Sequence, residues 1–170
     1  TKAGEGDAEI KSLAVLIFNN GGSLVHKQEF TDFENASVNI NKTMLNLNNP
    51  TEEQKLTEAT VVMIANIPLA NIKNSDEESL ADVTSLTLEG LNAYTYTLKD
   101  AQAIITEKPT TGFPMVGNAT VNLSHTYTEA IGVELNILYA KINFSISVTS
   151  GSENQGDGVS FTLEKYTVNN

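Results

Sequence analysis

At 170 residues and 40% hydrophobic content, the chain suits one domain with a packed core and is too apolar for a disordered one. Its net charge of -11 at pH 7 is carried with ten basic residues, all lysines, which argues against nucleic acid and anionic membrane surfaces. Cysteine is absent, so disulfides, thiolate metal sites and a cysteine nucleophile are excluded.

No apolar run approaches the ~18 residues of a membrane-spanning helix, and no signal peptide is visible. The chain opens on Thr1, so it is expected to be a processed or trimmed product whose targeting signal or lipid site lies upstream.

Residues 1–8 are small and polar and read as a flexible lead-in, with residues 9–170 forming a single domain. In "EIKSLAVLIFNNGG", Ile10, Ala14, Leu16 and Phe18 share one strand face and Leu13, Val15 and Ile17 the other. Both faces are apolar, which predicts a central strand covered on both sides. Asn19-Asn20-Gly21-Gly22 is a turn signal, and "SLVHKQEF" reads as the returning hairpin arm. "ASVNINKTMLNL" alternates Ala36, Val38 and Ile40 inward with Asn39 and Asn41 outward, a half-buried strand. Thr51 and Gln54 in "NPTEEQKLTEA" mark a helix start of one or two turns. "TVVMIANIP" is a compact strand stopped by Pro68.

"NSDEESLADVTSL" predicts the clearest helix. Ser75 would cap it and Glu78 would complete a capping box, with Asp76 and Glu77 at the positive end of the dipole and Leu80, Val83 and Leu86 on the apolar stripe. The capping box accounts for the acidic run without a metal. "AYTYTLKDAQAIITEK" suggests further β structure with a turn near Asp100. In "GFPMVGNATVNLS", Pro114 and Gly117 flank an apolar pair, and Ala119, Val121 and Leu123 then alternate.

Into "ELNILYAKINFSISV" the apolar positions run odd, from Ile131 and Val133 ahead of it through Leu135 and Ile137, and turn even from Leu138 (Ala140, Ile142, Phe144). A β-bulge at Ile137-Leu138, or a stretch covered on both faces, accounts for the change of phase. Either way Lys141 points outward and is no catalytic amine. A Gly-rich loop at 151–158 precedes alternating Val159, Phe161 and Leu163. Its Glu153, Asn154 and Asp157 lack the order of an EF-hand, so a hairpin loop is the simpler account than a calcium site. About eight strands and one or two short helices point to an all-β, antiparallel sandwich.

His26 and His125 are the two available neutral-pH bases, ~100 residues apart, with no convergent partner and no catalytic motif. No enzyme, cofactor or metal is expected.

Four segments in this order, "EIKSLAVLIFNNGGSLV", "ATVVMIANIP", "GFPMVGN" and "GVELNILYAKINFSISV", resemble the N-terminal domain of Bacteroidales fimbrillins. These are FimA-type major fimbrial subunits, or type V pilins. The resemblance spans roughly residues 8 to 168. It implies a transthyretin-like, Greek-key sandwich, exported to the outer membrane as a lipoprotein precursor and trimmed at its N-terminus. A strand from a neighbouring subunit then fills the groove that trimming opens. The implied partners are other pilin subunits in a homo- or hetero-polymer, with host or bacterial surface ligands for adhesion and no nucleic acid. The terminal strands would border the groove through Leu13, Val15, Ile17, Val159, Phe161 and Leu163.

Three departures stand out. Ile137 occupies the place where the family often has arginine, before Ala140-Lys141. The family's second domain is expected to be missing here, so the chain reads as an excised first domain or a reduced member. No lipobox cysteine is present. With no arginine in the chain, any arginine-specific maturation is expected at or before Thr1. The alternative function is a non-polymerising surface adhesin or carbohydrate-binding module, which the absence of tryptophan disfavours.

Overall fold

A computed structural model describes residues 9–31, 38–40, 45, 51, 54–97, 112–124 and 130–138. Its strands are β1 (Leu13–Phe18), β2 (Leu24–Phe30), β3 (Ala59–Ala65), β4 (Ile72–Lys73), β5 (Thr95–Tyr96), β6 (Met115–Val121) and β7 (Asn136–Ile137). Five form an antiparallel sheet in the order β2-β1-β3-β6-β7, and β4 and β5 form a second, two-stranded sheet. The fold is an antiparallel β-sandwich, all-β apart from short helical turns.

The period-2 pattern of β1 explains the centre of this sheet. All six of its residues are buried, and side chains alternate between two apolar clusters. Ala14, Leu16 and Phe18 join Val62 and Ile64 of β3 in the first cluster, which Ile67, Leu69, Ile72, Leu80, Val83 and Leu86 cover. Leu13, Val15 and Ile17 join Val61, Ala65 and Met115 in the second, with Leu45 and Leu56. Leu16 and Phe18 have no exposed surface, and each such side chain contributes roughly 1.5–3 kcal/mol. Ile10 packs with the second cluster instead of sharing a face with Ala14, because the strand begins only at Leu13.

The hairpin at Asn19 forms as its sequence requires. Asn19 Oδ1 accepts from the amides of Gly21 (3.0 Å) and Ser23 (2.9 Å), and Gly22 takes φ +76°, which glycine adopts without a Cβ penalty. Val38 and Ile40 are half-buried against the second cluster with Asn39 exposed, matching their alternation, although 38–40 pairs with no described strand. Thr51 and Gln54 are helical, and 55–58 turns into β3.

The helix expected over "NSDEESLADVTSL" is absent. Asn74, one residue before the expected cap, takes the amides of Asp76 and Glu78 on its Oδ1, both at 3.0 Å. Glu77 then adopts φ +63°, which an α-helix cannot contain. The Leu80 amide donates to Ile72 O at 2.8 Å, tying the turn to β4. Leu80, Val83 and Leu86 are buried as the stripe predicted, in an irregular loop. Lys141, the turn near Asp100, the lead-in 1–8, His125 and the 151–158 loop lie outside the described residues.

Candidate assembly surface

The expected groove residues fall in two groups. Leu13, Val15 and Ile17 are 5%, 1% and 2% exposed and form the floor of the second cluster. Their strand is hydrogen-bonded on one side to β2 and on the other to β3. They therefore contribute side chains and no open backbone edge. Val159, Phe161 and Leu163 lie outside the described residues.

Among the described residues the sheet ends at β2 on one side and at β6 and β7 on the other. On β2, the register sets Lys27 opposite Leu16 and Glu29 opposite Ala14, on the face of the first cluster. Lys27 Nζ donates to the carbonyls of Leu80 (2.8 Å), Ala81 (2.7 Å) and Val83 (2.6 Å). Burial pulls its pKa below the ordinary lysine value, opposed by the carboxylates of Asp82 and Glu29. Glu29 Oε1 accepts from the Leu69 amide at 2.8 Å. The strand thus hooks two loop segments onto the sheet. A main-chain bond from the Leu24 amide to Leu86 O (2.8 Å) closes its start, and the β1–β2 ladder is bulged between Ile17 and Phe18. Lys27→Met should lower unfolding stability by about 1–2 kcal/mol, because three carbonyls lose a charged donor at a half-buried site. Urea denaturation checks this, and an unchanged midpoint would contradict the hook.

The opposite edge is built differently. β6 pairs with β3 along its whole length, from Ala59↔Val121 to Ala65↔Met115. On its outer side β7 meets only Met115 and Val116. Among the described residues nothing pairs with the outer side of 117–121. The sequence Met115-Val-Gly-Asn-Ala-Thr-Val121 holds no ionisable group. Asn118 and Thr120 are exposed, while Ala119 and Val121 are half-buried. Gly117 is buried, and a Cβ there would land on the Glu134 carbonyl oxygen and 3.2 Å from Leu135 Cδ2. Residues 130–135 therefore lie directly over the second-cluster face, where Val133, Leu135 and Ile137 pack.

The odd phase of 131–137 holds: Ile131, Val133, Leu135 and Ile137 are half-buried between exposed neighbours. Leu138 is 50% exposed, so the even positions do not yet face inward there. Its amide donates to Pro114 O at 3.0 Å, which keeps it in register with the end of β6.

One buried polar residue escaped sequence reasoning. Asn66, 4% exposed with φ +63°, accepts on Oδ1 from the amides of Lys11 (2.8 Å) and Ser12 (3.4 Å). Its Nδ2 donates to Glu9 O (2.9 Å) and Phe113 O (2.8 Å). Gly112, at φ +80°, sits against it, and a Cβ there would come within 2.7 Å of Glu9 O. The residue clamps the chain entering β1 to the chain entering β6. An asparagine just past a strand and before Ile67-Pro68 was the available signal, since asparagine tolerates the left-handed region.

Among the described residues no group of three or more His, Asp or Glu could hold a metal ion. His26 Nε2 lies 3.3 Å from Gln28 Oε1 on β2. The geometry offers sheet edges and apolar faces, which recognise protein backbone. No curated protein and no solved structure matches the chain. The family model described as major fimbrial subunit protein (FimA) matches residues 1–163. With nearly the whole chain covered and an antiparallel β-sandwich beneath it, this protein belongs to the FimA major fimbrial subunit family.

Proposed function

We propose that this fimbrial subunit joins its neighbours by β-strand addition, an extended segment of one subunit completing the sheet of the next, and that the resulting filament supports adhesion. Membership of the family makes it a structural component of a cell-surface fimbrium that associates with other pilin subunits. The observation that carries the mechanism is that, among the described residues, the sheet ends in a strand of two residues set against one of seven. Main-chain hydrogen bonds along an open edge give affinity, and alternate side chains in pockets give specificity. Head-to-tail addition that does not close on itself yields a filament.

In this reading the subunit is a type V pilin of the Bacteroidales kind, carried to the outer membrane on an upstream lipidated precursor. Its partners are other pilins, with host or bacterial surface ligands for the assembled fibre. It performs no catalysis, and Leu13, Val15 and Ile17 form the apolar floor beneath the added strand, with Val159, Phe161 and Leu163 on the terminal strand at the groove's border.

Electron microscopy of purified subunits, alone or mixed with other pilins of the same cell, tests the mechanism. Filaments that resist SDS at room temperature are expected, because an interlocked strand leaves slowly. Particles that fall apart in SDS would show ordinary surface association, and failure to assemble would favour a non-polymerising adhesin.

A further inference from the structure

The turn between β1 and β2 carries chemistry as well as shape. Asn20-Gly21 is the one asparagine–glycine pair in the sequence. An asparagine side chain holds its Cγ within reach of the next residue's amide nitrogen, and joining the two closes a five-membered ring. A Cβ on that next residue obstructs the closure, and glycine has none. Asn20 and Gly21 are both exposed at the tip of the hairpin. Other described asparagines are placed against the same reaction. Asn66 is buried and precedes Ile67. Asn74 holds two amides on its Oδ1 and precedes Ser75. Asn118 and Asn136 lie in strand ladders.

Asn19 opposes the closure. The Gly21 nitrogen is the nucleophile and must give up its proton to attack. In the folded turn that N–H donates to Asn19 Oδ1 at 3.0 Å, which keeps the proton in place. The same oxygen accepts from the Ser23 amide, and Asn19 O accepts from the Gly22 amide at 2.9 Å. The Asn20 amide donates to Lys55 O at 2.8 Å, which restrains the backbone that would have to rotate. The turn also anchors the second layer, because Gly22 O accepts from the Leu88 amide at 2.8 Å.

We propose that Asn20 is the site at which this chain deamidates, and that Asn19 sets the rate by holding the Gly21 amide. The Gly21 nitrogen bonds to Asn20 Cγ, the carbon–nitrogen bond of the side-chain amide breaks, and ammonia leaves with the Gly21 proton. Water then opens the cyclic imide at either of its carbonyls, leaving aspartate or isoaspartate at position 20. The chain's charge of -11 gains one more negative unit. Isoaspartate also puts an extra methylene into the main chain between positions 20 and 21. The bonds from Gly21 and Gly22 to Asn19 then cannot all be kept, and the turn loosens its hold on Lys55 and Leu88.

The full chain, folded in mildly alkaline buffer at body temperature, tests this. Peptide mapping by mass spectrometry follows each asparagine, and isoaspartate methyltransferase labels that product. Position 20 should convert first. Asn19→Ala should speed its conversion about 5-fold, the factor equivalent to one hydrogen bond's net worth. Asn19→Asp, whose carboxylate still accepts both amides, should stay near the wild-type rate, and Gly21→Ala should slow the reaction. Circular dichroism verifies that each variant folds. The wild-type chain in urea, where Asn19 holds nothing, should also convert faster than the folded chain. Earlier conversion at any other asparagine would overturn the site. Equal rates for Asn19→Ala and Asn19→Asp, or for folded and urea-unfolded chain, would overturn the role of Asn19.

Discussion

Replacing Asn66 by glycine should lower the unfolding free energy by about 2–4 kcal/mol, since four hydrogen bonds go at a site closed to water. Glycine accepts the positive φ, so this variant isolates the side-chain bonds from the backbone conformation. Asn66→Ala should be ~1 kcal/mol worse still, because its Cβ opposes the left-handed region. The amides of Lys11 and Ser12, which Asn66 Oδ1 accepts, should then exchange faster with solvent than the amides of β3. The consequence is local before it is global: the segment entering β1 loses its tie to Phe113 and frays first. Urea denaturation with amide hydrogen exchange reads both effects. An Asn66→Gly variant within ~0.5 kcal/mol of the wild type, an ordinary surface effect, would remove Asn66 from its role as clamp.

Gly117→Ala should cost about 2–3 kcal/mol, the range for forcing an atom into filled space. The obstacle is the Glu134 backbone, with its carbonyl carbon 2.9 Å from the added Cβ, and backbone cannot rotate away as a side chain can. Residues 130–137 must lift from the second cluster, which exposes Val133, Leu135 and Ile137. The Leu138 amide, bonded to Pro114 O, should lose its protection while the β1–β3 ladder keeps its own. Equal protection in both places would mean that 130–137 does not depend on this close approach. The same substitution at Gly132, where a Cβ meets nothing within 4 Å, is the matched control and should have little effect on the fold.

The two central strands were legible because their signal is local. In β1 and β3 each apolar residue reports its own face through the period of two, and the faces stay apolar wherever the neighbours lie. The half-buried alternation of 131–137 was readable for the same reason. The helix over "NSDEESLADVTSL" was misread because Asn74 and Ser75 compete for the same amides. Spacing alone ranks them equally. The bond from Leu80 to Ile72 O decides for Asn74, and it depends on β4 being in place. Lys27 and Glu29 left no mark that separates them from ordinary outward charges on a hairpin arm. Gly117 did leave one, since glycine inside an alternating strand signals a close backbone approach, but the sequence does not name what approaches.

By itself the sequence determined the strand-rich class, the centre covered on both faces, the uncharged character of β6 and the likeness to fimbrillins. These follow from neighbouring residues and their period, which survive any arrangement of the chain. Only the tertiary structure decided that β2 is hooked to the loop segments through Lys27 and Glu29 and that, among the described residues, β6 pairs with β7 only at Met115 and Val116. An open edge is a property of which distant strands pair, and partners far apart in the chain, such as Leu13 and Ala65 or Ala59 and Val121, are chosen by the packing of both clusters at once. The pairing of the strands therefore belongs to the fold, while the material they are made from was already written in their alternation.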